Sequence, residues 1–286
     1  MDGRTPRPGC TRRGRPRQAA GVVLAAALAA AVAGGCSRCH TVNCRLDAVE
    51  DDAARRIVRD ALWAHGSKYR WADCRVLRAE VTRTEHRPAG DAATDQVWLL
   101  DPLQGHLRVE TPARRQVAVF DGWRLRVFRD GEETTDPAAR GRAAGDARLV
   151  ADLLAMPLSL ARQGRRVAYV GTRTGPGEAR TWRRLMVTDG PGSGYSADDR
   201  TLVEVRQGSD RVETVLIRWS EDPFFGRRMR VRMDDWRPAD GLLVSRRWRF
   251  APIDESGAPT GPVLYTVRLG RVEVNPEVGG QPFSRP

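Results

Sequence analysis

The sequence predicts a mainly β protein of the α+β class, in which helical segments cover an antiparallel sheet. Three observations predict it. Apolar and charged residues alternate with a period of two over most of the chain after Ala72. Asp-Gly pairs at Asp121-Gly122, Asp130-Gly131 and Asp240-Gly241 separate these runs, as tight turns between strands do. Helical spacing of apolar residues is confined to two stretches. Of 286 residues, 41% are hydrophobic and 29% charged, which is the balance of a folded chain and excludes disorder, collagen and a polytopic membrane protein. A repeat period of about 20–50 residues is missing, which excludes a solenoid or a propeller.

The elements follow in order. Asp47-Ala48-Val49-Glu50 reads as an N-cap with an acid three residues on. Ala54, Ile57, Val58, Ala61 and Leu62 then occupy one helical face, and Gly66 is a natural stop. This predicts an amphipathic helix of about four to five turns. Beyond it Leu77, Ala79 and Val81 alternate with Arg78, Glu80 and Thr82, and Leu107 and Val109 with Arg108 and Glu110. Asp121-Gly122 predicts a hairpin between Val117–Phe120 and Trp123–Phe128. Residues from Glu132 to Gly145 read as a polar loop. After Asp146, the set Leu149, Val150, Leu153 and Leu154 is a second helical stripe, interrupted at Pro157. In the later strands Met229, Val231 and Met233, then Leu242, Val244 and Trp248, form further alternating sets. Val263, Tyr265, Val267 and Leu269 slip phase at Gly270 to Val272 and Val274, which predicts a bulge there. The order is a helix, about five strands, a second helix, then about six or seven strands, or about eleven in all.

The N-terminus sets the compartment. Six arginines between Arg4 and Arg17 precede an apolar run from Ala19 to Ala33. A basic segment, a short apolar run and small residues make a secretory signal. The run is short for a membrane span, which needs about 20 apolar residues. Ala33-Gly34-Gly35-Cys36 resembles a bacterial lipobox, which implies cleavage before Cys36 and its diacylation. A plain secretory signal is the alternative. On the first reading residues 1–35 are a lipoprotein signal peptide, 36–45 a lipidated tether and 46–286 one domain. Cleavage leaves a formal charge of +7 from the full chain's +12. Nucleic acid is excluded as a partner outside the cytoplasm.

The same stretch contains Cys36-Ser37-Arg38-Cys39-His40, the spacing of a c-type haem attachment motif. A lipidated Cys36 cannot also form a thioether, and no cofactor is expected. A metal site from Cys39, His40 and Cys44 lacks a second ligand pair. One disulfide among Cys39, Cys44 and Cys74 is expected, with the pair left open.

Chemistry-bearing motifs are otherwise missing. The chain has no H-E-x-x-H, no G-x-S-x-G and no Walker A sequence. His40, His65, His86 and His106 share no spacing, and a general base would have to assemble from His86 or His106 with a carboxylate. Gly190-Pro191-Gly192-Ser193-Gly194 reads as a flexible connection. The expectation is a protein that is not an enzyme.

The order of elements, the Asp121-Gly122-Trp123 hairpin and the Asp234-Asp235-Trp236-Arg237-Pro238-Ala239-Asp240-Gly241-Leu242 turn carry a resemblance. The stretch Val272-Glu273-Val274-Asn275-Pro276 and the ending Pro282-Phe283-Ser284-Arg285-Pro286 extend it. Together they resemble the LolA/LolB-type family of periplasmic lipoprotein carriers. The resemblance implies a highly curved antiparallel sheet forming an incomplete barrel, closed by two helical segments. It implies a non-enzymatic, lipid-anchored envelope protein that binds acyl chains or lipoproteins in an apolar cavity. Candidate lining residues are Trp98, Trp123, Leu125, Val127, Met229, Val231, Met233 and Trp248, with Leu100, Trp236 and Phe250 beside them. Trp63 and Leu153, with Leu154 and Met156, are the candidate lid. Ser37 is not the aspartate associated with inner-membrane retention, so the periplasmic side of the outer membrane is favoured. The second reading is an envelope lipoprotein that uses the same fold to bind a protein partner, with a collapsed core and an exposed patch.

Outward strand positions carry Arg124, Arg126, Arg228, Arg230, Arg232, Arg247 and Arg249. If these converge they face anionic lipid headgroups, where each basic residue adds about 1 kcal/mol. Phe224-Phe225 after Asp222-Pro223 reads as an apolar loop that either enters a membrane or plugs the barrel.

Overall fold

A computed structural model describes residues 38–122, 124–175, 180–189, 199–218, 228–279 and 281–284. Three helices come first: α1 (38–47), α2 (Asp52–Ala64) and α3 (Ser67–Asp73). Six strands follow: β1 (Leu77–Glu85), β2 (Ala92–Asp101), β3 (His106–Thr111), β4 (Gln116–Phe120), β5 (Leu125–Arg129) and β6 (Glu132–Glu133). Helix α4 (Pro137–Leu154) and a 3-10 turn (Leu158–Ala161) lead into the second set. That set is β7 (Arg165–Thr174), β8 (Thr181–Asp189), β9 (Arg200–Arg206), β10 (Val212–Arg218), β11 (Arg228–Ala239), β12 (Leu242–Pro252) and β13 (Tyr265–Val274).

All 13 strands belong to one antiparallel sheet in the order β6-β5-β4-β3-β2-β1-β13-β12-β11-β10-β9-β8-β7. The chain meanders from β1 out to β6, crosses on α4, and returns from β7 inward to β13. First and last strands therefore pair in mid-sheet, and β6 and β7 are unpaired edges. The result is an open half-barrel whose gap is spanned by α4.

Local sequence explains most of this. Asp51 caps α2, its Oδ1 accepting from the amides of Ala53 (2.8 Å) and Ala54 (3.0 Å). The stripe Ala54, Ile57, Val58, Ala61 and Leu62 is the buried face. Gly66 has φ +115°, and a Cβ there would stand 2.3 Å from the Gly241 carbonyl oxygen, so no side chain is tolerated. Asp130-Gly131 and Asp240-Gly241 both have positive φ at each residue, the conformation of a two-residue hairpin turn. At the Asp121 hairpin the side-chain Oδ1 accepts from the Arg124 amide at 2.7 Å. The slip at Gly270 is a real bulge: Ala79 pairs with Val272 and Val81 with Leu269, so β13 carries one extra residue.

The inner face of the sheet and the helices share one apolar core. It includes Leu62 of α2, Trp71 of α3, Leu153 of α4, Trp98 of β2 and Trp248 of β12. Each such large side chain is worth about 1.5–3 kcal/mol on burial.

Several expectations need correction. The strands number 13 rather than about eleven, since β6 is two exposed glutamates with no alternation to betray it. Where two helical segments are expected, the described residues hold four α-helices. Residues 38–45, expected as a tether, lie in α1, and α1 buries Val42 and Leu46 in the core. Arg38 donates from Nε to the Ala72 carbonyl and from Nη2 to the Cys74 carbonyl, both at 2.9 Å, which ties the start of α1 to the end of α3. Helix α2 is 13 residues and shorter than expected, because Asp47 belongs to α1 and Asp51 is the cap. Most of the expected polar loop is the start of α4. Asp136-Pro137 is an N-cap followed by proline at the first helical position, and Ala and Arg sustain the helix beyond it. The expected disulfide is not formed: Cys39, Cys44 and Cys74 are free thiols.

Candidate ligand-binding site

The gap between β6 and β7 is covered by α4. Leu149 and Leu153 of α4, with Met156 and Leu160 just beyond, meet Val187, Thr201, Val215 and Ile217 of β8 to β10. Between them is a seam with a void of about 10 Å³. That is room for at most one water, not an acyl chain.

One side of the seam is polar. Asp152 of α4 meets Arg165 of β7, and its Oδ1 lies 2.8 Å from Arg162 Nη1. Arg165 Nε reaches Asp189 Oδ1 of β8 at 2.9 Å, and Nη1 donates to the Ser159 carbonyl at 2.9 Å. Side-chain exposures of 4% for Arg165, 9% for Asp152 and 10% for Asp189 make this a buried ion cluster. Burial pushes the Asp189 carboxyl up despite Arg165 beside it. The cluster fastens the end of α4 to the second wing of the sheet.

Helix α2 is fastened separately. Asp51 Oδ2 accepts from the Tyr169 amide at 2.8 Å, joining the start of α2 to edge strand β7. Backbone hydrogen bonds from Ala54 and Tyr169 hold this carboxyl below its usual range. At the other end, His65 is fully buried and lies edge-on to Trp236 at 4.6 Å. Its Nε2 accepts from the Val212 amide at 3.2 Å, and Nδ1 sits 3.2 Å from the Leu243 carbonyl. Burial brings its pKa down to about 4, so the ring is neutral and Nδ1 carries the proton.

The expected lining residues are brought together, though as packed core. Trp98 and Trp248 pack at 5.7 Å on the inner face. Leu125, Val127, Leu153, Met229, Val231 and Met233 belong to the same cluster, as do Leu100, Leu154, Met156 and Phe250. Trp236 is half-buried against that cluster. Trp63 is 55% exposed and turns away from the seam, being one residue, or about 100° of helix, past Leu62. Trp123, Gly190-Pro191-Gly192-Ser193-Gly194, Phe224-Phe225 and Cys36 lie outside the described residues. Sequence reasoning missed Leu160, Val187, Val215 and Ile217, which have ordinary apolar patterning. It also missed the ion cluster, whose members lie far apart in the chain.

Two other sequence expectations are now placed. The outward arginines do not converge as one set: Arg124 and Arg126 lie on one wing, Arg247 and Arg249 both pair with Asp234, and Arg228 and Arg230 line an outer groove. His86 does find a carboxylate, with Nδ1 3.0 Å from Asp91 Oδ2 and Nε2 2.9 Å from Thr266 Oγ1. These three residues line neither the seam nor the outer groove described below. Among the described residues no group of three or more His, Cys, Asp or Glu can hold a metal ion, and no helix is long and apolar enough to cross a membrane.

Solved structures share this fold. A LolA superfamily protein of Nitrosomonas europaea superposes with a TM-score of 0.54 at 14% identity, over 79% of this chain and 94% of that one. The fold is that of the LolA superfamily. A domain named as an outer membrane lipoprotein-sorting protein, from Vibrio parahaemolyticus, gives 0.52 at 7% identity, over 78% and 92%. A DUF1329 family protein of Desulfovibrio piger gives 0.54 at 10%, over 82% and 98%. No family model matches the sequence, and no curated protein does.

Proposed function

We propose that this chain is a non-enzymatic, lipid-anchored envelope protein that binds acyl chains or lipoproteins under α4, as a carrier or acceptor. Cys36 is the proposed lipid attachment point and holds it to the membrane. The periplasmic side of the outer membrane is the proposed location. One observation carries the reading. The gap between two unpaired sheet edges is bridged by one helix, and that helix presents Leu149 and Leu153 to an apolar strand surface. Lifting α4 exposes two facing apolar surfaces and breaks no strand pair. The 10 Å³ void means that uptake requires this lift. An acyl chain gains about 0.8 kcal/mol per buried CH₂, so a long chain offsets the lost contacts.

Native mass spectrometry of the full chain carrying Cys36→Ser, offered a palmitoylated peptide, tests this. The expected result is a one-to-one complex, with faster amide exchange in α4 and unchanged exchange in β11 and β12. A protein that stays empty at saturating peptide overturns it. The packed inner face favours the second reading in that event: an envelope lipoprotein that binds a protein partner through its surface.

A further inference from the structure

The outer face of the second wing carries a groove of about 800 Å³, bounded by β7 to β11 and the turn between β12 and β13. It lies on the side of the sheet away from the seam. Leu202 and Leu216 line it, whereas their strand neighbours Val203 and Val215 point into the core. Six arginines and three carboxylates line the groove.

Strand register arranges these residues in rows. Arg200 pairs with Arg218, and Arg218 with Arg228, so three guanidinium groups stand side by side across β9, β10 and β11. Like charges directly opposite on a sheet face repel one another. Glu255 reaches Arg228 at 2.8 Å but is 91% exposed, and Arg218 has no ion pair among the described residues. Two residues along, Leu202 of β9 and Leu216 of β10 are again directly paired; Met186 of β8 extends this row on one side and Arg230 of β11 ends it on the other. A cationic row thus runs parallel to an apolar row, about 7 Å from it.

The roof is preformed. Asp254 Oδ1 accepts from the Ser256 amide (2.9 Å), the Ser256 hydroxyl (2.7 Å) and the Ala258 amide (3.0 Å). This places Gly257 over Leu216, so near that a Cβ would stand 2.9 Å from Leu216 Cδ2. A rigid turn therefore holds down one end of the apolar row.

We propose that this groove binds a single phospholipid with an anionic head. The phosphate lies on the Arg200, Arg218 and Arg228 row, and the first part of an acyl chain lies on Met186, Leu202 and Leu216. The head gains charge-assisted hydrogen bonds from these guanidinium groups. The site is independent of the seam under α4 and stands whether or not that seam opens.

The test is methyl NMR of the full chain carrying Cys36→Ser, titrated with monomeric dihexanoyl-phosphatidylglycerol. Saturable shifts are expected at Leu202 and Leu216, with Leu149 and Leu153 unmoved. Arg218→Glu is expected to weaken binding at least tenfold, and dihexanoyl-phosphatidylcholine to bind at least tenfold more weakly. Arg218→Gln serves if the charge reversal disturbs folding by circular dichroism, and is expected to weaken binding several-fold. Shifts confined to Leu149 and Leu153 would place the lipid under α4 and overturn the proposal. Equal shifts with inorganic phosphate alone, or equal affinity for phosphatidylcholine, also overturn it, as does the lack of any saturable shift.

Discussion

Arg165 on β7 and Asp152 on α4 form a buried ion pair across the seam, and the same guanidinium holds Asp189 on β8. Breaking a buried pair by removing one partner costs more than the pair contributes, because the remaining charge is left without compensation. Asp152→Ala is therefore expected to cost about 2–4 kcal/mol, less than a full orphaning since Asp189 remains. Arg162→Ala, at the more exposed end of the cluster, is expected to cost about 1 kcal/mol or less. Urea unfolding measures both. Amide exchange in the last turns of α4 is expected to rise in Asp152→Ala, and exchange in β12 to stay as it was.

His65 makes stability depend on pH. Its pKa is about 4 when folded against 6.5 in the free side chain, so folding favours the neutral ring. The contribution is complete above pH 6.5 and is lost as pH falls through the folded value near 4. The full loss is on the order of 3 kcal/mol. Asp189 acts in the opposite sense: its raised pKa takes stability away as pH rises past the ordinary aspartate value. Urea midpoints at several pH values should slope between pH 6.5 and 4 in the wild type. A matching slope in His65→Gln would show that another group is responsible.

Gly66 stands at the junction of α2, α3 and the β11–β12 turn. Gly66→Ala is expected to lower stability by at least about 2 kcal/mol, from a left-handed backbone and a clash with the Gly241 carbonyl. For a chain of this size that is a fall of roughly 4–8 °C in Tm, read by thermal circular dichroism.

The cysteines should separate by reactivity. Burial pushes the Cys74 thiol up to about 12, with Asp101 nearby adding to it. Cys44 is exposed on α1. Iodoacetamide at pH 8 is expected to label Cys44 in the native protein and Cys74 only after denaturation. Peptide mapping by mass spectrometry reads the order, and prompt labelling of Cys74 would contradict the burial described.

Much of the fold is legible in the sequence because its signals are local. Alternation at Leu77-Ala79-Val81, the Asp-Gly turns and the Gly270 slip each encode one geometric fact within a few residues. Helix α1 and the first half of α4 were harder to read for a physical reason. Neither displays a clear apolar stripe, and α4 draws on Ala and Arg propensity with a proline start rather than on amphipathicity. The candidate site was legible as a set of apolar positions but not as a closed seam. Alternation tells which residues face inward and says nothing of how much space is left between facing elements. The Asp152, Arg165 and Asp189 cluster lay beyond sequence reasoning because it depends on where β7 and β8 arrive. The groove rows were hidden likewise, since Arg200, Arg218 and Arg228 become neighbours only through register.

The pairing of β1 with β13 has a consequence for how such a protein can diversify. Because the first and last strands meet in mid-sheet, every strand except the two edges is held on both sides by the chain's own backbone. The crossing helix takes no part in that ladder. Substitutions on the underside of α4 alter the contacts beneath it without touching any strand register. Selection can retune what lies under the cover at little risk to the trough, which suits a fold shared by solved structures that are only 7–14% identical to this chain.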